Sequence, residues 1–231
     1  MAPSWRWFPH PSASFAGTPF TTPPSPMSQA MAPPPAPIRH SPWWTRAFHA
    51  FNLLVLLVMA GSGLQIYNAN PVFGGREGAT VPELFTLGGW LAGGRDWHFG
   101  FMGLYALNLG LWMALLLTRR RRRLAETGDL STIRASAHAP RRRLASHRLV
   151  YTLMLILLGF SLITGLAMYK PAQFWWLSGL FSFGEAFGVT AWQTLRVCHF
   201  ATIPAIALLL IAHVLLSWRI GGLRLLRSMF T

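Results

Sequence analysis

Residues 197–218 read Val-Cys-His-Phe-Ala-Thr-Ile-Pro-Ala-Ile-Ala-Leu-Leu-Leu-Ile-Ala-His-Val-Leu-Leu-Ser-Trp, a run of 22 residues without Asp, Glu, Lys or Arg. As a helix rising about 1.5 Å per residue it is long enough to cross a hydrocarbon layer of about 30 Å. Three more such runs lie upstream, at 47–67, 97–118 and 149–169. In lipid a spanning segment must satisfy its own backbone, which leaves helices and closed barrels, and these runs lack the alternation of barrel strands. The fold expected is all-α: an integral membrane four-helix bundle occupying residues 43–231.

Composition agrees. Charged residues make up 11% of the 231-residue chain and apolar residues 52%, whereas a soluble domain carries about 25% charged residues. An ordinary soluble enzyme is excluded. The net charge of +14 would suggest nucleic acid if the basic residues were spread over one face. They are instead clustered between the apolar runs, so membrane topology and contact with anionic lipid explain them better and no nucleic-acid partner is expected. Ten lie in 119–148, three in each terminal segment and four in the two remaining loops, sixteen against four. The positive-inside rule then places both termini and the Arg-rich segment in the cytoplasm. The single cysteine, Cys198, excludes an internal disulfide and a Cys-rich metal site.

Residues 1–42 hold twelve of the seventeen prolines and are expected to be a disordered tail. The loops expected outside the cytoplasm differ in kind: 68–96 is rich in Gly and 171–195 in Phe and Trp. The second suits an interfacial aromatic belt, or a docking surface for an extracytoplasmic partner. No internal repeat stands out among the four runs.

Histidines carry the chemistry. His49 opens the first run and His98 the second, while His199 and His213 share the fourth. Ionisable groups inside a bilayer are costly, so they face the bundle interior and act there. The fourteen residues from His199 to His213 bring both to one helix face, about 21 Å apart. With the fourth run ending inside, His213 matches His49 in depth, and His199 matches His98. Two imidazoles facing each other at each of two depths suit bis-histidine haem iron, whereas tetrahedral zinc needs four ligands at one depth. His147, at the inner start of the third run, is an alternative ligand or a quinone-site residue. Pro204 removes one backbone bond of the fourth run and is expected to kink it.

Arg46, Arg95 and Arg196 each precede a histidine by three residues, which puts them on the same face one turn nearer water, where haem propionates or the membrane interface would hold them. Gly63 stands fourteen residues after His49. It shares that residue's face at the depth of the other pair, where a small residue lets a flat macrocycle or a neighbouring helix approach.

The stretches Arg46-Ala-Phe-His49 and Gly61-Ser-Gly63-Leu-Gln-Ile-Tyr67, with the His199/His213 spacing, resemble the four-helix di-haem cytochrome b subunits. That group includes the formate dehydrogenase gamma subunit, the b-type cytochrome of nickel–iron hydrogenases and the thiosulfate-reductase-type cytochrome b. The resemblance covers residues 43–228 and is nearest to the third type, through Tyr67-Asn-Ala-Asn-Pro71 and the Gly-rich loop. It implies that His49, His98, His199 and His213 bind two b haems. It also implies that electrons pass between a quinone near the inner haem and an extracytoplasmic redox enzyme, often a molybdopterin protein. Where relatives have an Asn-Pro-x-Gln-like stretch before the third span, this chain has Leu144-Ala-Ser-His147-Arg148. His147 and Arg148 therefore become the expected donors to a quinone head group.

The function expected is thus an electron-transfer subunit of a bacterial inner-membrane, respiratory-chain oxidoreductase complex. The alternatives are a stand-alone quinol or superoxide oxidoreductase and, in another class, a non-redox anchor or transporter. A transporter is expected to show internal repeats or broken helices near the midplane.

Overall fold

The computed structural model describes residues 42–228. The expectation of a disordered tail falls almost wholly outside them. Among the described residues there is no β-strand, and four long apolar helices are long enough to cross a membrane. In chain order the helices are α1 (Trp43–Ala69), α2 (Leu91–Arg119), the short α3 (Asp129–Ala135), α4 (Ala139–Tyr169), the short α5 (Trp175–Gly179) and α6 (Ala191–Arg227). The four spans coincide with the four apolar runs and extend beyond them, because the flanking Arg, Leu and Ala residues are good helix formers outside the lipid as well.

Local chemistry sets the ends. Pro42 precedes α1 and Pro140 lies in the first turn of α4, where a missing N–H breaks no bond. The Thr190 hydroxyl accepts from the Gln193 N–H and caps α6. The break inside α6 is at Gly222 (φ 62°, ψ −162°), not at Pro204, where the backbone stays helical. The Gly222 conformation is one that only glycine adopts readily. The kink expected at Pro204 is therefore displaced eighteen residues toward the C-terminus.

The bundle is built from two helix pairs. α1 packs along α2 and α4 along α6, while contact between the pairs is sparse and runs mainly through α2 and α4. Tyr105 of α2 ties the pairs together by donating to the Leu158 carbonyl of α4 at 2.8 Å. Around it Val55, Leu109, Leu116, Met154, Leu155 and Leu158 form the larger core cluster. Outward-facing Leu57 and Leu208, 63% and 68% exposed, carry no penalty in lipid, where helix association comes from packing and hydrogen bonds rather than from water exclusion.

The two pairs repeat one design. Ser62-Gly63-Leu64-Gln65-Ile66-Tyr67 near the end of α1 matches Thr164-Gly165-Leu166-Ala167-Met168-Tyr169 at the end of α4, and each is followed by a helix opening with Arg-x-x-His, Arg95–His98 and Arg196–His199. The correspondence is physical: Ser62 hydrogen-bonds His98, and Thr164 hydrogen-bonds His199. The expectation that no repeat exists is corrected by these contacts. The likeness is confined to a few contact positions, and the apolar residues between them are interchangeable.

The two ends of the bundle differ. At the Arg-rich end Arg120 stacks over Trp44, and Arg143 donates to the Arg219 carbonyl at 3.0 Å. At the opposite, aromatic end the 68–90 loop folds back on α1. There Asn68 exchanges two 2.8 Å bonds with Val81, and the Leu87 N–H donates to the Gly61 carbonyl at 3.0 Å. Gly88, at φ 117°, lies against the backbone of Gly93 and Gly94, where no side chain fits.

Candidate functional site: two histidine clusters between the helix pairs

His98 of α2 and His199 of α6 face each other across the gap between the pairs at the aromatic end, with ring centroids 6.4 Å apart and planes at 84°. Two imidazoles bonded to one metal ion from opposite sides at about 2 Å each would hold their centroids roughly 6 Å apart, so the spacing would suit a shared iron. Glycine backs both rings. A Cβ at Gly63 would lie 3.2 Å from His98 Cε1, and one at Gly165 would lie 3.2 Å from His199 Cε1. Each ring is thus seated against a glycine, where an added Cβ would press on it. Ser62 Oγ lies 3.0 Å from His98 Nδ1, and Thr164 Oγ1 lies 2.8 Å from His199 Nδ1. Bound between these rings, haem would supply one-electron chemistry that no side chain of this protein provides.

At the Arg-rich end three histidines gather. His147 of α4 and His213 of α6 have ring centroids 4.7 Å apart, and His49 of α1 is within electrostatic range of His213. The Nδ1 of His213 is buried without a hydrogen-bond partner among the described residues, which suits a group supplied from outside the chain. His147 is nearer to His213 than two imidazoles facing each other across one metal ion would be. Its Nε2 is instead 3.1 Å from the Ser217 hydroxyl, which itself donates to the His213 carbonyl at 2.8 Å. His147 Nε2 must therefore be the donor in that contact. Tyr151 completes the cluster: its ring is 5.8 Å from His213, and its hydroxyl accepts the Trp112 indole N–H at 2.5 Å.

The arginines divide. Arg196 is held by the protein, donating to Gln193 Oε1 at 2.9 Å and to the Asn70 carbonyl at 2.6 Å. Arg95 is exposed and Arg46 half-buried. Arg148 turns away from the histidines, since its Nε donates to Asp129 Oδ2 at 3.0 Å and its Nη1 to Glu126 at 3.3 Å, with a second close bond from Nη2 to Asp129. The side chains whose rings lie against His213 on this side are those of His147 and Tyr151. The pair Arg148 forms with Asp129 was invisible in the sequence because the 124–138 segment has no periodicity to place it. Sequence reasoning also missed Ser62, Thr164, Ser217 and Trp112. The hydroxyl-Gly-Leu-x-x-Tyr recurrence is the signal that would have found the first two.

Four apolar spans with facing, glycine-backed histidines define a membrane b-type cytochrome. The chain belongs to the prokaryotic cytochrome b561 family, whose family model matches residues 39–231. It is a b561-type electron-transfer protein of the multi-pass bacterial inner-membrane class, and the anchor and transporter alternatives give way to that. A segment of 67 residues is 39% identical to a putative protein-methionine-sulfoxide reductase subunit, YedZ1, of Azospira oryzae. The match takes in 29% of this chain and 32% of that relative, about a third of its length. No solved structure matches the chain.

Proposed function

We propose that this protein carries two b haems and passes electrons across the membrane between a quinone and an extracytoplasmic redox enzyme. His98 and His199 hold the aromatic-end haem, and His49 and His213 the Arg-rich-end haem. The observation that carries the reading is the His98–His199 pair, 6.4 Å between centroids with a glycine behind each ring. Residues 43–231 form the cytochrome domain. Both termini lie in the cytoplasm, with the Arg-rich end.

The quinone meets the Arg-rich-end haem beside His147 and Tyr151. The partner binds the aromatic end, where Leu84 and Phe187 are 87% and 83% exposed. The two lie in the outer loops 68–96 and 171–195, a surface that a stand-alone oxidoreductase would not need. The relative's printed name, a reductase subunit, supports a partner enzyme, which we take to be molybdopterin-dependent. A pyridine haemochrome assay of purified protein tests the core of this: two non-covalent b haems per chain are expected, and no haem, or covalently held haem, overturns it.

A further inference from the structure

The aromatic-end histidines are held by a device that occurs twice. Ser62 and Thr164 are each 0% exposed, so no water competes for their hydroxyls. A hydroxyl has one proton to donate. Ser62 lies 2.6 Å from the Val58 carbonyl, and Thr164 lies 2.9 Å from the Phe160 carbonyl, each one helical turn back. With that proton committed to the backbone, each hydroxyl faces its histidine as an acceptor, and Nδ1 must carry the hydrogen.

We propose that Ser62 and Thr164 are paired positioning residues: each accepts from the Nδ1–H of the histidine facing it, so that Nε2 of His98 and of His199 is held as the free lone pair for the shared iron. The symmetry of the repeat makes the two sides chemically alike. An acceptor on Nδ1–H pushes electron density into the ring, strengthens it as a ligand and favours the oxidised metal. The two hydroxyls together therefore lower the potential of the aromatic-end haem.

This rests on the haem assignment above, and the experiment separates the two. Ser62→Ala, Thr164→Val and the double variant are purified alongside the conservative Ser62→Thr and Thr164→Ser. Haem content and midpoint potentials are then measured by spectroelectrochemical titration. In the double variant the aromatic-end haem is expected to shift about tenfold toward reduction, which for a one-electron couple is about 59 mV. The conservative variants should keep the wild-type potential. Should the double variant shed that haem, the single variants decide, each being expected to shift about threefold. Haem retained with unmoved potentials overturns the proposal alone. Wild-type protein without haem overturns the assignment on which it rests.

Discussion

The Trp112 indole of α2 donates to the Tyr151 hydroxyl of α4 at 2.5 Å, and in the repeat these two residues occupy the positions that α6 and α1 fill with His213 and His49. Tyr151 lies thirteen residues before Thr164, as His49 lies thirteen before Ser62. Trp112 follows His98 by fourteen residues, as His213 follows His199. The repeat is therefore symmetric at the aromatic end, with His98 answering His199. It is broken at the other end, where a hydrogen-bonded aromatic pair answers a histidine pair. One fold thus builds two unlike histidine clusters about 21 Å apart along the helices.

Removing ligands tests the pairing. His98→Ala should remove one spectral component and leave the other, and adding His199→Ala should remove nothing further. The same holds for His49→Ala with His213→Ala. Reduced-minus-oxidised spectra and haemochrome content give the answer. Loss of both haems in either double variant, with helicity by circular dichroism intact, would assign the ligands differently.

The glycine notches should be as sensitive as the ligands. Gly165→Ala puts a Cβ 3.2 Å from His199 Cε1, while Thr164 holds the adjacent Nδ1 and limits how far the ring can shift. Overpacking of this kind costs about 1–3 kcal/mol. Occupancy of the aromatic-end haem should fall while the other haem is retained. Gly159→Ala, where a Cβ would meet nothing within 4 Å, is the control and should keep both.

The spans and the facing of His98 and His199 were legible in the sequence because each rests on regular helix geometry, apolar length for the helices and depth and angular position for the rings. The partners of the side chains were not. Whether Arg196 meets a cofactor or the Asn70 carbonyl, and whether Arg148 meets a quinone or Asp129, depends on where loops fold, and loops follow no period. The repeat escaped notice for a related reason. Helices in lipid keep only their contact residues fixed, so the match between Ser62-Gly63 and Thr164-Gly165 is embedded in exchangeable Leu, Val and Ile.

The Asp129–Arg148 pair fixes the Arg-rich segment and gives it a pH dependence. Asp129 is 3% exposed at its side chain and Arg148 20%. The hydrogen bond from Arg148 holds the Asp129 carboxyl below its ordinary range. A carboxylate whose folded pKa is depressed contributes stability that is present above its unfolded pKa and is lost as pH falls through the folded one. Protection of the 126–135 amides against hydrogen exchange should accordingly hold at neutral pH and fall in acid, below the usual carboxylate range. Asp129→Asn should lower protection at pH 7 by about 1–2 kcal/mol, less than for a fully buried pair because Arg148 stays partly in water. An unchanged exchange pattern would show that α3 is held by its apolar contacts alone.

Topology has its own test. A reporter fused after Arg123 should be active as a cytoplasmic fusion, and fusions near Gly89 or Phe183 as extracytoplasmic ones. The sixteen-to-four distribution of basic residues sets this expectation. A periplasm-active reporter after Arg123 would exchange the two ends and, with them, the proposed quinone and partner sides.

The last prediction concerns the quinone. With Arg148 engaged by Asp129 and Glu126, the titratable side chains whose rings lie against that of His213 are His147 and Tyr151. The Tyr151 oxygen already accepts from Trp112, which leaves its own proton to donate. His147 donates through Nε2 to Ser217, which leaves Nδ1 as an acceptor. A quinol head group needs an acceptor for its leaving proton, and its oxidised form needs a donor at the carbonyl oxygen; these two side chains offer one of each. His147→Ala and Tyr151→Phe should each slow haem reduction by a quinol analogue by about tenfold, within the range for loss of one general acid–base group. Reduction by dithionite and the content of both haems should be unchanged. Arg148→Ala should alter quinol kinetics much less and act instead on the stability of the 126–135 segment. Equal slowing by Arg148→Ala, or none by His147→Ala, would move the quinone away from this cluster.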